Sequence, residues 1–512
     1  MRIGQLAAQV VDGEIVAGLD QVHGHRTAHV AESDEADAHR RVLRSPPGWP
    51  AIAGRRGVAA RILAAPAGRR CRCPAQRVGL RGLQPASATP SGRIRDVTAR
   101  PLDDVLVVEW CSLVCGPFCG KWLAEAGADV IKIEAPGAGD EARRRGPFPN
   151  DEPDPERSGL YLLLNTNKRS VTLDPETADG LAILRDLIAR ADVFLHDRPP
   201  TLADELGLDY ETLAAQHERL VVTAISPYGS TGPRRDEHAY PLNVVHASGT
   251  TYHQLAGQIA LRDFPDAGPV KPGSFIAECD AGLNAATATL AALLARMSTG
   301  RGQRVDVSRQ WAMMSTQRPE VHRYASDGTI VTRELDTEWF PGVYQCKDGW
   351  IVIGAVWGAR NWGALVEMMG GDPWFASEPW FTEALWNLPQ LGIPKPDHAD
   401  EVRDTIAEWC MERTREEIQQ IGQAHGLTIT GHATMEEVLG SEQMRVRGFL
   451  REVEHPETGP LTDTAFPFRT STIDSRRPGP APLLGEHNRE VYCDLLGLEP
   501  EQLPILRHAG AI

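Results

Sequence analysis

The chain of 512 residues contains no run of about 18 or more apolar residues, so no transmembrane helix is read from it. Its first residues, MRIGQLAAQVVDGE, carry acids where a signal peptide needs an apolar stretch. Basic residues are in deficit, 53 against 69 acidic, for a formal charge of -16. A surface of that sign repels phosphate backbones and anionic lipid, which disfavours nucleic-acid and membrane partners. No G-x-G-x-x-G follows the first strand, since CGPFCG lacks the spacing, so a dinucleotide site has little support. G-x-S-x-G, the P-loop and H-E-x-x-H are also missing. The nine cysteines are scattered rather than framed as disulfides, which fits a reducing compartment, the cytoplasm. Cys71 and Cys73 form a C-x-C pair without further ligands at metal-site spacing, and no metal is expected. What remains is the ordinary balance of a soluble globular protein, 42% apolar and 24% charged, with length for roughly two or three domains.

Residues 1–100 contain no Lys, Asn, Phe or Tyr, while Arg is dense from Arg40 to Arg100 and Lys121 is the first lysine. The absent residues have A/T-rich codons, and the abundant Arg, Ala, Gly and Pro have G/C-rich ones. Translation of GC-rich DNA outside a true reading frame produces such a stretch. A natural disordered extension, rich in Pro, Gly and Ser, is the alternative. Either way residues 1–95 are expected to add nothing to the fold, with Val97 a plausible start through a GTG codon.

From Asp104 strands and helices alternate. Val105–Glu109 is a continuous apolar run, Pro117–Ala126 reads as a helix with Gly127 in the cap position, and Asp129–Glu134 is a second buried strand. A helix near Ala178–Ala191, a strand Asp192–Leu195, a helix near Tyr210–Gln216 and a strand Leu220–Ile225 follow. Single helices between strands imply parallel pairing, hence an α/β fold with a Rossmann-like large domain. A long helix is expected from about Ala281 to Met297, rich in Ala, Gly and Thr so that its backbone can approach its neighbours. Thr299–Gly302 ends it, and Gln303–Ser308 is the next strand. Residues 316–435 have a different texture, with a strand at Trp350–Val356 and Trp-rich helices, and read as a smaller α+β domain. The segment 436–512 is expected to return to the large domain, whose first part is 96–315.

VLVVEWCSLVCGPFCGKWLAEAGADVIKIEAPGAGD, LNTNKRSVTLD, ISPYGSTGP, TGRGQRVDVS and APLLGEH occur in that order. Together they resemble the family III CoA-transferases, the group of formyl-CoA transferase, carnitine CoA-transferase and 2-methylacyl-CoA racemase, over about residues 97–512. The resemblance implies movement of CoA between carboxylic acids. An acyl-CoA thioester and an acid would be the substrates, with no permanently bound cofactor, in a homodimer of interlocked chains.

In that family an Asp before the long helix attacks the thioester, forming an acyl anhydride and then an enzyme-CoA thioester. Ungapped counting back from Gly300 places this position at Glu278, with Asp280 two residues later. Glu278 is longer by one methylene, and a shift of about an ångström can cost about 10²-fold in rate unless the site is reshaped. Two plainer roles stand beside catalysis: a helix N-cap for Asp280 and a first-turn acid for Glu278. The resemblance further places Val114 and Cys115 along the pantetheine thioester, Leu173, Asp197 and Arg198 at the adenosine part, and Tyr240 beside the reacting centre. Four positions that are basic in formyl-CoA transferase are Ala135, Glu176, Glu205 and His238 here; Arg198, Lys168 and Arg169 are candidates to compensate. The racemase His falls at Tyr240, which argues against racemisation; His238 and His246 are nearby loop histidines. Cys111, Cys115 and Cys119 recur every four residues but span a strand end and a helix start, and read as small buried residues rather than a metal stripe. A non-catalytic binding role and an acyl-CoA isomerase or lyase are the competing readings.

Overall fold

The computed structural model describes residues 100–252, 268, 270–316, 318–330, 342–354, 358–371, 373–377, 398–468 and 479–512. All lie in one compact unit, Gly92–Ile512. The proposed extension 1–95, with Cys71 and Cys73, lies outside the described residues.

Six strands, β1 (Leu106–Trp110), β2 (Asp129–Glu134), β3 (Lys168–Thr172), β4 (Val193–His196), β5 (Val221–Ser226) and β6 (Arg304–Ser308), form one sheet in the order β3-β2-β1-β4-β5-β6. Every pairing is parallel. The order reverses between β1 and β4, which opens a crevice at their carboxyl ends; ligands of doubly wound folds bind in such crevices. Helices α1 (Cys115–Glu125), α2 (Gly159–Leu164), α3 (Ala178–Ile188), α4 (Pro200–Glu205), α5 (Tyr210–Gln216), α6 (Pro241–Ala247), α7 (Ile276–Thr299) and α8 (Arg309–Thr316) connect them.

Period-2 alternation sorts each strand's side chains between two cores. Val107 and Cys111 pack with Leu123 of α1 and Ala281 and Ala285 of α7 on one face. Val108 and Trp110 pack with Leu184 and Leu187 of α3 on the other, where Tyr492 and Ile512 from the C-terminal end join them. That end is tied to the outer strand: Tyr492 Oη donates to the Thr172 carbonyl at 2.6 Å, and Asn488 Nδ2 donates to Thr172 Oγ1 at 2.7 Å.

α7 begins five residues earlier than the sequence indicates, with Phe275 as its N-cap and no side-chain cap bond. Gly300 ends it in the left-handed conformation at φ 73°. Its small residues permit a close approach to α1. A Cβ on Gly282 would stand 2.5 Å from the Cys115 carbonyl oxygen, so this crossing requires glycine. Separately, β7 (Gly342–Cys346), β8 (Gly349–Gly354) and β9 (Thr428–Gly431) form an antiparallel sheet around a core including Ile351, Ile353, Ile406 and Ile418. A hairpin, β10 (Leu450–His455) and β11 (Gly459–Thr464), is pinned to α1 through Arg451, Glu125, Asp463 and Lys121.

Candidate active site

A cavity of about 190 Å³ opens at the carboxyl ends of β1 and β4. Ser112, Leu113, Val114 and Cys115 form one wall, and Glu141, Asp197 and Arg198 flank it. Ile225, Ala239, Tyr240 and Pro241 form a second wall, with Glu278 and Arg309 completing the lining.

The wall that follows β1 is held in an unusual shape by buried carboxylates. Leu113 has φ 67°, a conformation that non-glycine residues adopt only under constraint. Asp140 Oδ1 accepts from the Leu113 N–H at 2.9 Å and from Ser112 Oγ at 3.2 Å, while Asp197 accepts from the Ser112 N–H at 2.9 Å. Asp140 is fixed in turn by Lys132, whose Nζ lies 2.7 Å from Oδ2 and 3.1 Å from Glu109 Oε1. Glu109 also pairs with Lys168 at 2.8 Å. These four side chains are fully buried or nearly so. Burial alone would push Asp140 up, but Lys132 and the N–H donors hold it below the usual carboxylate range. Lys168 goes the other way: desolvation lowers its ammonium to about 8 against the pull of Glu109.

The opposite wall carries the candidate nucleophile. Glu278 stands one helical turn before Gly282, on the α7 face that presses against α1. It is 1% exposed, and neither carboxylate oxygen has a hydrogen-bond partner among the described residues. Desolvation raises its pKa, opposed by its own backbone N–H and by the positive charges of Arg309 and Lys271. A carboxylate kept dry and without a donor from any other described residue faces little competition for its lone pairs, which suits nucleophilic attack. Lower on the same helix, Thr289 Oγ1 lies 2.7 Å from Thr223 Oγ1 of β5, and Arg296 pairs with Asp192 at 2.9 Å, fixing the helix against the sheet.

The cavity thus gathers Val114, Cys115, Asp197, Arg198, Tyr240 and Glu278 from the positions singled out in the sequence. Tyr240 caps α6 at its rim and is 67% exposed. Two positions are not brought there. Leu173 is 1% exposed in the core with Ile183 and Leu184, at the far strand β3. Asp280, the fifth residue of α7, is turned about 200° from Glu278 and is not among the lining residues. An N-cap role for Asp280 is also corrected, because the helix starts before it; Glu278 does lie in the first turn.

Lys168 and Arg169 are already engaged elsewhere. Lys168 Nζ is buried against Glu109, the Pro117 carbonyl and Asn165, and Arg169 pairs with Asp129 and with Glu490. Arg198 remains at the cavity, beside Asp197 and 5.3 Å from the Trp110 ring centroid. Ala135, Glu176, Glu205 and His238 are all exposed. His246 bonds Thr251 at 2.7 Å and lies outside the lining, as does His238. Cys111, Cys115 and Cys119 are buried in a shared core; burial raises all three thiols, and no metal-binding cluster occurs among the described residues.

Arg309 was not singled out by the sequence. It is the first residue of α8, at the carboxyl end of β6, and its Nη2 donates to the Ala239 carbonyl at 2.9 Å. A basic residue directly after a parallel strand, on the ligand-facing side of the sheet, was the available signal.

Comparison with known proteins bears on the chemistry. The sequence profile of CoA-transferase family III matches residues 102–488. The succinyl-CoA–D-citramalate CoA-transferase of Chloroflexus aurantiacus is 31% identical over 414 residues, covering 80% of this chain and 97% of that protein. The formyl-CoA:oxalate CoA-transferase of Streptomyces coelicolor is 30% identical, covering 81% of this chain and 100% of its own length. The crystal structure of a CAIB/BAIF family protein from Brucella suis superposes with a TM-score of 0.64 at 25% identity, covering 77% of this chain and 99% of that one. With the profile spanning most of the chain and the switch-point cavity in place, the chain belongs to CoA-transferase family III.

Proposed function

We propose that the cavity transfers CoA from an acyl-CoA to a carboxylic acid, with Glu278 as the nucleophile. The observation that carries this is a buried carboxylate without a hydrogen-bond donor from any other described residue, at the topological switch point of the sheet. The Glu278 carboxylate attacks the thioester carbonyl carbon; the C–S bond breaks, leaving a mixed anhydride and CoA thiolate. The thiolate attacks the Glu278 carbonyl carbon, forming an enzyme-CoA thioester and releasing the first acid as its carboxylate. The incoming acid's carboxylate then attacks that thioester, giving a second anhydride and thiolate. Attack of the thiolate on the new acyl carbon completes acyl-CoA and restores Glu278. No redox change or external proton is required.

Desolvation destabilises the ionised Glu278 carboxylate and raises its pKa, opposed by the positive charges of Arg309 and Lys271, and a more basic carboxylate is the stronger nucleophile. The constrained Ser112–Cys115 wall is where the thioester end of pantetheine would lie. Asp197 and Arg198 flank its path toward the exposed rim.

The active form is a homodimer in this reading. Exposed Leu290, Leu294 and Met297 follow one side of α7, and Trp311 of α8 and Tyr324 add to the apolar surface. A second copy would cover such an area, and sedimentation should show a dimer that persists on dilution. The seven described cysteines are free thiols, and no described helix is long and apolar enough to cross a membrane, which supports a reducing, aqueous compartment such as the cytoplasm.

Glu278 variants test the reading. Glu278→Gln keeps the shape and removes the attacking oxyanion, so turnover falls by orders of magnitude with CoA affinity preserved. Glu278→Asp loses activity as well if the cavity is built around the longer side chain. Full activity in Glu278→Gln refutes the assignment.

A further inference from the structure

Two charges in the cavity lack an opposite partner among the described residues. One is Glu278. The other is Arg309, whose side chain donates to the Ala239 carbonyl and forms no salt bridge among the described residues. The remaining charged lining groups are matched: Arg198 with Asp197, and Glu141 with Arg145 at 2.6 Å. Arg309 and Glu278 do not form a salt bridge, yet both line the same cavity, together with Cys115.

A half-buried guanidinium with an uncommitted edge presents parallel N–H donors that match a carboxylate. The Ala239 bond fixes its plane through one Nη and leaves the rest of the fork available. During transfer, the reacting carboxylate of the acid must stand at the Glu278 carbonyl carbon. That position serves any acid. Arg309 lines the same cavity without pairing with Glu278, and Leu113, Val114, Ile225 and Pro241 add apolar lining.

We infer that Arg309 is the specificity residue for the acid substrate, receiving a second carboxylate that takes no part in the reaction. The site therefore selects short dicarboxylic acids over monocarboxylic acids of the same length. A monocarboxylate leaves the guanidinium desolvated without a partner. Sites built to bond a polar group reject analogues lacking it by much larger factors than they reject a missing methylene. This inference rests on the Glu278 reading for its geometry but not for its test.

Calorimetric binding of succinate and butyrate to the intact chain separates the two. The wild type binds succinate more tightly by about 30-fold or more, the range expected of a charge-assisted pair. Arg309→Met removes the difference by weakening succinate alone, and Arg309→Lys retains part of it because charge survives without the planar fork. Equal affinities in the wild type overturn the inference. So does an Arg309→Met variant that weakens both acids alike, since Arg309 would then serve the cavity or Glu278 and not the second carboxylate. A succinate preference that depends on Arg309 supports the inference even in a protein that forms no covalent adduct on Glu278; that combination removes the nucleophile assignment and leaves the acid specificity standing.

Discussion

Replacing Lys132 by Met removes the centre of the buried charge network while keeping most of the side-chain volume. The Lys132 ammonium lies 2.7 Å from Asp140, 3.1 Å from Glu109 and 3.1 Å from the Cys111 carbonyl, with no solvent exposure. Without it, Asp140 and Glu109 are left with one fewer cation in a dry interior. Breaking a buried pair on one side costs about 3–5 kcal/mol, because the orphaned charge pays its desolvation without return. Lys168 still serves Glu109, so the loss falls mainly on Asp140. The sign with pH follows. Asp140 is depressed in the folded protein, so its contribution is present above the ordinary Asp range and is lost as pH falls through its folded value. Urea unfolding of wild type and variant at several pH values should show a difference of about 3–5 kcal/mol at pH 7 that narrows steadily below about pH 4. Turnover should fall together with stability, since Asp140 also holds Leu113 and Ser112 in the cavity wall. A penalty under about 1 kcal/mol, unchanged by pH, would refute the reasoning.

Glu278→Gln should stabilise the protein at neutral pH while abolishing turnover. The raised Glu278 pKa means the fold favours the protonated form, so its stability contribution is present below the unfolded pKa and is lost as pH rises through the folded one. Thermal melts should therefore place the variant above wild type at pH 7 and level with it in acid, and an equal or lower Tm at pH 7 would contradict the desolvation argument. In the same way the acid limb of the kcat profile should lie above the ordinary carboxylate range and vanish from any residual activity of Glu278→Gln. Gly282→Ala forces α7 away from the Cys115 carbonyl, costing about 1–3 kcal/mol and, by displacing Glu278 one turn away, about 10²-fold in kcat; a variant with wild-type kcat would show that the contact does not position Glu278. Asp280→Asn should change stability by less than about 0.5 kcal/mol in urea unfolding and leave turnover nearly intact, because Asp280 neither caps α7 nor lines the cavity.

The alternation of β1 to β6 with single helices was legible because buried parallel strands read as short apolar runs bounded by helix punctuation. The start of α7 was not. Asp280 resembles a cap, whereas the actual N-cap is Phe275, a residue with no side-chain acceptor, so nothing local marks the boundary. The cluster of Glu109, Lys132, Asp140 and Lys168 was hidden for a different reason. Glu109 and Lys132 are register partners on adjacent strands, but their counter-charges come from separate segments that only the sheet order brings together. Lys168 was therefore mistaken for an available cation. Motif order placed Glu278, Val114, Cys115, Asp197, Arg198 and Tyr240 in a common cavity, because each lies at a strand end or helix start on the same edge of the sheet. Leu173 lies at a strand end too, but its side chain falls on the core side of the pleat. Arg309 stayed unread since a single arginine after a strand is distinguishable from a solvated one only by what it faces.

The central claim is that Glu278 carries the acyl and CoA groups in turn. Wild-type protein incubated with an acyl-CoA and quenched during turnover should carry a CoA adduct, and the peptide containing Glu278 should bear it. Borohydride reduces that thioester to an alcohol and hydroxylamine converts it to a hydroxamate, so both should mark Glu278 and neither should mark Glu278→Gln. A protein that exchanges CoA between acids with no adduct, or with the label on Asp280 or a cysteine, would contradict the account.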